Sequence, residues 1–126
     1  MRYLLMIYTE ERAEAPTDNP SDELNEYNAF TEWTQAKGYF KGGEALQPTS
    51  TATTVRVRDG RTITTDGPFV ETKEALGGYY LLECANLDEA IEAAARIPGA
   101  RHGSIEVRPI WEYPMSENVE AVASAG

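Results

Sequence analysis

The sequence has a single cysteine, Cys84, and a single histidine, His102, in 126 residues. One cysteine excludes an internal disulfide and a zinc site built from cysteines. One histidine excludes a histidine-rich site, so a metal would have to be held mainly by carboxylates. Glycine-rich nucleotide motifs and Ser-His-Asp arrangements are also absent. We therefore expect no metal and no cofactor, and we predict that Cys84, within the apolar run LLECA, is a buried, inert thiol.

Long hydrophobic runs are absent too. No apolar stretch approaches the roughly 20 residues that span a bilayer, and the opening MRYLLMIYTEE is too short for a secretory signal. Basic residues are scarce, with 11 Lys and Arg against 21 Asp and Glu and a net charge of −10. Such a chain repels phosphate backbones and anionic membrane surfaces. We therefore expect a cytoplasmic protein that binds neither nucleic acid nor membrane.

Apolar periodicity and turn residues predict six strands and two helices. The strands are predicted over residues 3–8, 39–46, 53–58, 61–65, 78–84 and 104–110. The first helix is capped by Asn19, has Pro20 in its first turn and ends at Gly38. The second begins at Asn86 with a capping box and ends at Pro98. Each helix carries an apolar stripe at helical spacing, formed by Leu24, Tyr27, Phe30 and Trp33 in the first and by Leu87, Ala90, Ile91, Ala94 and Ile97 in the second.

The predicted order is β-α-β, a hairpin, then β-α-β. This order predicts an α+β, ferredoxin-like sandwich with an inserted β-hairpin and both helices on one face of the sheet. One domain is expected over residues 1–113, followed by a C-terminal tail over 114–126. The runs YLLMIY and YYLLEC are apolar on both strand faces. Because the two helices cover one face, we expect a second copy to cover the other, giving a homodimer with facing sheets.

The segment TDGPFVETKEALGGYY holds the densest group of unusual residues. Its Asp-Gly-Pro turn is constrained, since Asp66 can bond nearby backbone and proline fixes φ. The turn is either a rigid connection or a device that holds Asp66 at a pocket mouth as an acid, base or ligand anchor. Lys73 lies between Glu71 and Glu74, which favours a structural ion pair or an anion anchor. The glycine pair Gly77-Gly78 either fits a bulge or lets backbone approach a ligand.

His102 precedes the last strand and is either a solvated surface residue or, if it faces Asp66 across a cleft, a candidate general base. Arg108 is expected to hold a carboxylate, either Glu71 or Glu74 within the fold or that of a substrate. The candidate catalytic residues are thus Asp66 and His102, and the candidate ligand-binding residues are Phe69, Glu71, Lys73, Tyr79 and Arg108. Core and dimer-interface positions are predicted for Tyr3, Trp33, Phe69, Tyr79 and Trp111.

The motifs TDGPF, ETKE and EVRP, with the opening MRYLLMIYTEE and the helix LDEAIEAAARIP, resemble the DGPF branch of the YCII-related family over about residues 1–113. The resemblance implies a bacterial cytoplasmic protein that pairs as a dimeric α/β barrel, and a link to extracytoplasmic-function sigma factors. It implies no reaction. The His and Asp suggested as a catalytic pair in the YCII branch proper are absent, since the first helix begins with Ser21, Asp22 and Glu23 and the second ends without an Asp.

Three functions are open at this point. The chain is a dimeric small-molecule binding or regulatory module with a cleft near Asp66, Phe69 and Tyr79, or a cofactor-free enzyme that uses Asp66 or His102 for proton transfer, or a partner protein for a sigma factor. An enzyme predicts that Asp66 or His102 is desolvated in a pocket. A partner protein predicts an exposed apolar patch outside the dimer interface. The sequence favours the binding module.

Overall fold

The computed structural model describes residues 1–11 and 20–113. In chain order the elements are β1 (Arg2–Thr9), α1 (Pro20–Ala36), β2 (Phe40–Ala45), β3 (Thr53–Arg58), β4 (Arg61–Asp66), β5 (Ala75–Glu83), α2 (Leu87–Arg96) and β6 (Ser104–Pro109). The predicted order of elements is confirmed. The predicted cap at Asn19 and the predicted tail over 114–126 lie outside the described residues. Within these ranges, neither helix combines the length and the apolar character needed to cross a membrane.

Four strands form one antiparallel sheet in the order β2-β5-β1-β6, and β3 and β4 form a separate two-stranded sheet. This α+β arrangement, with two helices and an inserted hairpin, is compatible with the ferredoxin-like prediction. The hairpin turns at Asp59 and Gly60, whose φ angles of 54° and 73° are those of the predicted two-residue turn. Strand β5 begins three residues before the predicted start, because Ala75 already pairs with Thr9.

The core lies between the two helices and one face of the four-stranded sheet. Tyr3, Leu5 and Ile7 alternate along β1 and are buried together with Leu82 of β5. The helices bury against them Phe30 of α1 and Ala90, Ala93 and Ala94 of α2, with Ile97 just beyond α2. The small alanines let α2 lie close to the sheet, so the core is asymmetric, with the aromatic residues on the α1 side.

Local chemistry sets the helix ends. Gly38 ends α1 with a φ of 76°, and the next N–H, that of Tyr39, donates to the Thr34 carbonyl at 2.9 Å. At α2 the Asn86 side chain accepts the Glu89 N–H at 3.0 Å, and Glu89 accepts the Ala85 N–H at 2.7 Å. The predicted capping box is present, although the glutamate reaches Ala85, one residue before the cap.

The predicted apolar stripes are only partly buried. Leu24 of α1 and Leu87 and Ile91 of α2 are exposed, whereas the other stripe residues lie in or against the core. Leu24 lies near the start of α1 and lines a cavity between this helix and the sheet. The apolar periodicity therefore predicted which face of each helix packs on the sheet. It did not predict how much of that face is buried.

The second face of the sheet carries a half-buried apolar patch that neither helix covers. Its members, hereafter the outer patch, are Leu4, Met6, Tyr8, Leu76, Tyr79 and Leu81. They alternate with the buried residues of β1 and β5, which is why the two runs read as apolar throughout. Within one chain, the buried residues of β1 and β5 lie only on the helix-covered face. The outer face, which was expected to be covered by a second copy, is half-buried in the single chain.

Candidate functional site

A cavity of about 410 Å³ lies between the first half of α1 and the helix-covered face of the sheet. Glu23, Leu24, Tyr27 and Thr31 line it from the helix, at the three- and four-residue spacing that places them on one helical face. Strands β1, β2 and β5 line it from below. Its volume lies within the range of about 300–1,000 Å³ that is typical of small-molecule sites.

Two glycines from neighbouring strands form the floor of the cavity. A Cβ atom at Gly43 of β2 would lie 2.8 Å from the carbonyl oxygen of Tyr79, and one at Gly78 of β5 would lie 3.0 Å from that of Glu44. Side chains are therefore excluded at both positions by the neighbouring backbone. Because neither residue carries a side chain, the space beneath α1 stays open at this point and is closed further along the sheet by Tyr80.

Tyr27 lies at one wall of the cavity and is positioned by Gly99. The Gly99 backbone hydrogen-bonds to the Tyr27 hydroxyl, and a Cβ at Gly99 would lie 3.0 Å from both that oxygen and Cγ2 of Ile7. Burial raises the pKa of Tyr27, and the negative charge of Glu23 raises it further, against the lowering effect of the Gly99 bond. The phenol is therefore protonated at neutral pH, and its O–H is a hydrogen-bond donor rather than a base.

Tyr80 is held in a fixed orientation on the opposite side of the cavity. Its hydroxyl lies 3.1 Å from Oγ1 of Thr31. Its ring packs edge-on against Phe30 at 4.9 Å and against Phe40 at 6.5 Å between centroids. The cavity thus combines apolar and aromatic walls with two phenol groups and the carboxylate of Glu23. This composition suits recognition of a small organic molecule by apolar contact and a few hydrogen bonds.

The two candidate catalytic residues lie apart from this cavity. Asp66 is the exposed last residue of β4, opposite Thr53, and His102 is exposed just before β6. Within the part of the chain that the structure describes, no hydrogen bond or ion pair joins them, and neither lines the cavity. The turn after Asp66 has clear backbone contacts: Gly67 has a φ of 95°, donates to the Ala52 carbonyl at 2.7 Å and accepts from Thr54 at 2.8 Å.

Of the candidate ligand-binding residues, Tyr79 alone is placed at the cavity, where its carbonyl oxygen borders Gly43. Phe69 is 75% exposed and Glu71 is also exposed. Lys73 forms an ion pair of 3.5 Å with Glu10, the residue that follows β1, instead of with Glu71 or Glu74. The segment therefore contributes a turn and a surface ion pair, and its exposed side chains lie outside the cavity.

The ion-pair partner of Arg108 within the fold differs from the one expected. Arg108 forms an ion pair with Glu106, two residues before it on β6, and its Nε donates to that carboxylate at 3.0 Å. The expected partners within the fold were Glu71 or Glu74, but Glu74 accepts a hydrogen bond from Ser104 at 2.9 Å. The other expected partner, the carboxylate of a substrate, stays a prediction. Because residues i and i+2 of a strand share a face, the side chain of Glu106 lies beside that of Arg108 and can pair with it. Trp111, predicted for the core or the interface, is 82% exposed in the single chain.

The residues that build the cavity were not singled out as a site from the sequence. Glu23, Tyr27 and Thr31 read as helix residues, and the available signal was the pair of glycine doublets at Gly42-Gly43 and Gly77-Gly78. Both doublets do accompany bulges, between Phe40 and Gly42 and opposite Ile7 and Tyr8. In residues 1–11 and 20–113, no group of three or more His, Cys, Asp or Glu side chains is placed to hold a metal ion.

Comparison with known proteins identifies the family. Residues 1–114 match the model of the YCII-related domain. An uncharacterized protein of Rhizobium meliloti (strain 1021) is 37% identical over 121 residues, which cover 93% of this chain and 98% of that protein. The chain therefore belongs to the YCII-related family.

Proposed function

We propose that this YCII-related protein is a homodimeric module that binds a small organic molecule in the cavity beneath α1. The observation that carries the proposal is the cavity itself, about 410 Å³ in volume and lined by apolar walls and a few polar groups. Pockets of this size and composition are the usual sites of small-molecule recognition. The site differs from the cleft near Asp66, Phe69 and Tyr79 that the sequence favoured, since it lies between α1 and the glycine floor, where Tyr79 borders it but Asp66 and Phe69 do not.

The fixed positions of the polar groups support binding over an accidental gap between elements. Gly99 leaves room for the Tyr27 hydroxyl, and Thr31 orients that of Tyr80. A binding site gains affinity when its polar groups are ordered before the ligand arrives, because less entropy is then lost on binding. The exposed side chain of Leu24 at the cavity rim would be covered by such a ligand.

The outer patch supports the homodimer. It places six apolar side chains in the centre of a four-stranded sheet face that no helix of the described chain covers. Polar residues border it, including the ion pair of Arg108 and Glu106 on β6, which lie opposite Leu4 and Met6 of β1. An apolar centre with a polar rim is typical of protein interfaces. In a two-fold dimer the same patch of both subunits is in contact, so the outer patch of a second copy could cover this one.

Ligand binding is tested by filling the cavity. Ala45 of β2 pairs with Gly78, which places it on the cavity side of the strand. The larger side chain of the Ala45→Leu variant should therefore fill part of the cavity. Ala29→Leu adds the same atoms at an exposed α1 position that does not line the cavity. A library of small amines, alcohols and acids is screened by thermal shift, and hits are measured by calorimetry. A ligand at about 100 times its Kd stabilises the folded state by about 2.7 kcal/mol.

The proposal expects at least one compound that binds with one site per chain, loses affinity in Ala45→Leu and keeps it in Ala29→Leu. It is refuted if the library yields no saturable binder, or if every binder is unaffected by Ala45→Leu. The two variants carry the same added side chain, so a general effect of hydrophobicity would appear in both.

The homodimer is tested by light scattering after gel filtration. We expect the mass of two chains for the native protein and of one chain for Leu81→Lys, since a charge in the centre of the outer patch would be buried without a partner. Ile91→Lys is the control, because Ile91 is exposed on α2, on the other side of the sheet. A native mass of one chain, or a Leu81→Lys variant that still pairs, would rule out this interface.

The two alternative functions stay predictions. Proton transfer by Asp66 or His102 requires a desolvated group, whereas both residues are exposed in the single chain. A protein partner, such as the sigma factor that the family resemblance implies, requires an exposed apolar patch outside the dimer interface. The β3–β4 hairpin has exposed Val55, Val57 and Ile63, which favours this alternative, although Ile63 lies on the opposite hairpin face from the two valines.

A further inference from the structure

The charge of the cavity lining restricts which ligands it can take. Among the described residues that line it, the charged ones are Glu23 and Glu44, and none is Lys, Arg or His. Glu44 pairs with Tyr79 on the strand face that points away from the helices, so Glu23 of α1 is the carboxylate on the cavity side. A carboxylate or phosphate ligand would meet a negative charge there, in a chain whose net charge is −10. The charge of Arg101 also acts on Glu23 and Tyr27, but Arg101 does not line the cavity and forms an ion pair with Glu26.

The two phenols add complementary groups. The Tyr27 oxygen accepts a hydrogen bond from the Gly99 backbone, and its own O–H can donate to an acceptor on the ligand. A phenol is protonated at neutral pH at its ordinary pKa, and burial raises the pKa of Tyr27 further. Tyr80 shares its hydroxyl with Thr31 and has its ring held by Phe30 and Phe40, so it provides an aromatic wall more than a free donor.

Glu23 and Tyr27 act together because they are one helical turn apart. Residues i and i+4 of a helix lie on the same face, about 5–6 Å apart at their Cβ atoms. One ligand of modest size therefore reaches both, with a hydrogen-bond donor at the carboxylate and an acceptor at the phenol. Apolar atoms between them contact Leu24 and Ile7, which line the same cavity.

We infer that the cavity selects a small amine or other cationic or neutral donor, bound by Glu23 through its donor group and by Tyr27 through an acceptor, and rejects organic anions. This inference rests on the proposed function and names the class of ligand for the same site. It identifies Glu23 as the residue that sets the charge preference and Tyr27 as the residue that positions the ligand.

The test uses three probes that share a phenol ring and differ in the charge of their other end: tyramine, tyrosol and para-hydroxyphenylacetate. Each is titrated into the full-length protein by calorimetry at neutral pH. We expect affinity to fall in the order amine, alcohol, carboxylate, with about tenfold or more between the first and the last, as for a charge-assisted hydrogen bond gained against a like-charge contact.

Variants separate the two residues. Glu23→Gln should lower the affinity for tyramine about tenfold and change that for tyrosol by less than about twofold, since the charge of the carboxylate matters to the amine alone. Glu32→Gln, on the exposed side of the same helix, is the control for the loss of one charge and should change neither. Tyr27→Phe should weaken both probes by a similar factor, because both offer the same phenol acceptor.

The outcomes distinguish this inference from the proposed function. If para-hydroxyphenylacetate binds more tightly than tyramine and Ala45→Leu abolishes its binding, the cavity is a ligand site and the charge preference is wrong. The inference is equally overturned if tyramine binds but Glu23→Gln leaves its affinity unchanged, or if none of the three probes binds. In that last case the library screen with Ala45→Leu and Ala29→Leu decides the proposed function independently.

Discussion

Two adjacent glycines of β2 are expected to respond in opposite ways to alanine. A Cβ at Gly43 would lie 2.8 Å from the carbonyl oxygen of Tyr79 and 2.9 Å from Cδ1 of Tyr80, whereas one at Gly42 would meet no atom within 4 Å. Gly43→Ala therefore forces β2 away from β5 or the Tyr80 ring out of its place. Gly42→Ala fits without any shift, and the φ of Gly42 is open to other residues.

The magnitudes follow from these contacts. Forcing an extra carbon into a packed site costs about 1–3 kcal/mol. Alanine at a compatible glycine position stabilises by about 0.4–1 kcal/mol, because it reduces the conformational entropy of the unfolded chain. Because both variants share this unfolded-state gain, the steric cost alone separates them, and we expect the free energy of unfolding of Gly42→Ala to exceed that of Gly43→Ala by about 1–3 kcal/mol.

Urea unfolding followed by tryptophan fluorescence measures this difference. Trp33 packs on Phe30 at 6.1 Å and on Tyr39 at 5.9 Å between ring centroids, whereas Trp111 is 82% exposed, so the signal reports mainly on the core beside α1. Protein concentration is held equal, since dimerisation would link stability to it. Equal midpoints for the two variants, or a less stable Gly42→Ala, would refute the account of the glycine floor.

Three further predictions concern single residues. Asn86→Ala removes the acceptor for the Glu89 N–H and should lower the free energy of unfolding by about 1 kcal/mol in the same urea assay, and an unchanged midpoint would contradict the cap. Burial raises the pKa of the Cys84 thiol, so Ellman's reagent should react with it far more slowly in the folded protein than in urea, and equal rates would contradict its burial. Hydrogen bonds from Arg2 lower the pKa of Glu112 in the folded state, so this pair contributes stability above the unfolded pKa of about 4.3 that is lost as pH falls through the lower folded value. Glu112→Gln should accordingly lose less stability than the native protein between neutral pH and about pH 3, measured by thermal unfolding, and identical pH profiles would show that the pair has no net effect.

The elements of the fold were predictable where local chemistry determines them. Asp59-Gly60 supports positive φ at both turn positions, Gly38 supports it at a helix end, and Asn86 offers a side-chain acceptor to the first turn of α2. Each effect acts within a few residues, so it can be read along the chain. The alternation of β1 likewise follows from the two-residue period of a strand.

The ion pairs show where such reasoning stops. Lys73 has acids on both sides in sequence, yet it pairs with Glu10, some sixty residues earlier on the chain. Arg108 meets Glu106 instead of the acids of the central segment. Exposed charges can find several partners of similar energy, so the partner is decided by which strands the sheet order brings together, and that order is not a local property.

What the sequence by itself determined is the order of strands and helices, the turns between them and the membership of the YCII-related family, because periodicity, capping and turn residues act over short stretches. Where the candidate site lies was decided by the tertiary structure alone. The cavity joins Glu23 and Tyr27 of α1 with Gly43 and Gly78 from two other strands, and Gly99 from beyond α2 leaves room for the Tyr27 hydroxyl. These residues lie far apart in sequence and become neighbours only when β5 inserts between β1 and β2 beneath α1.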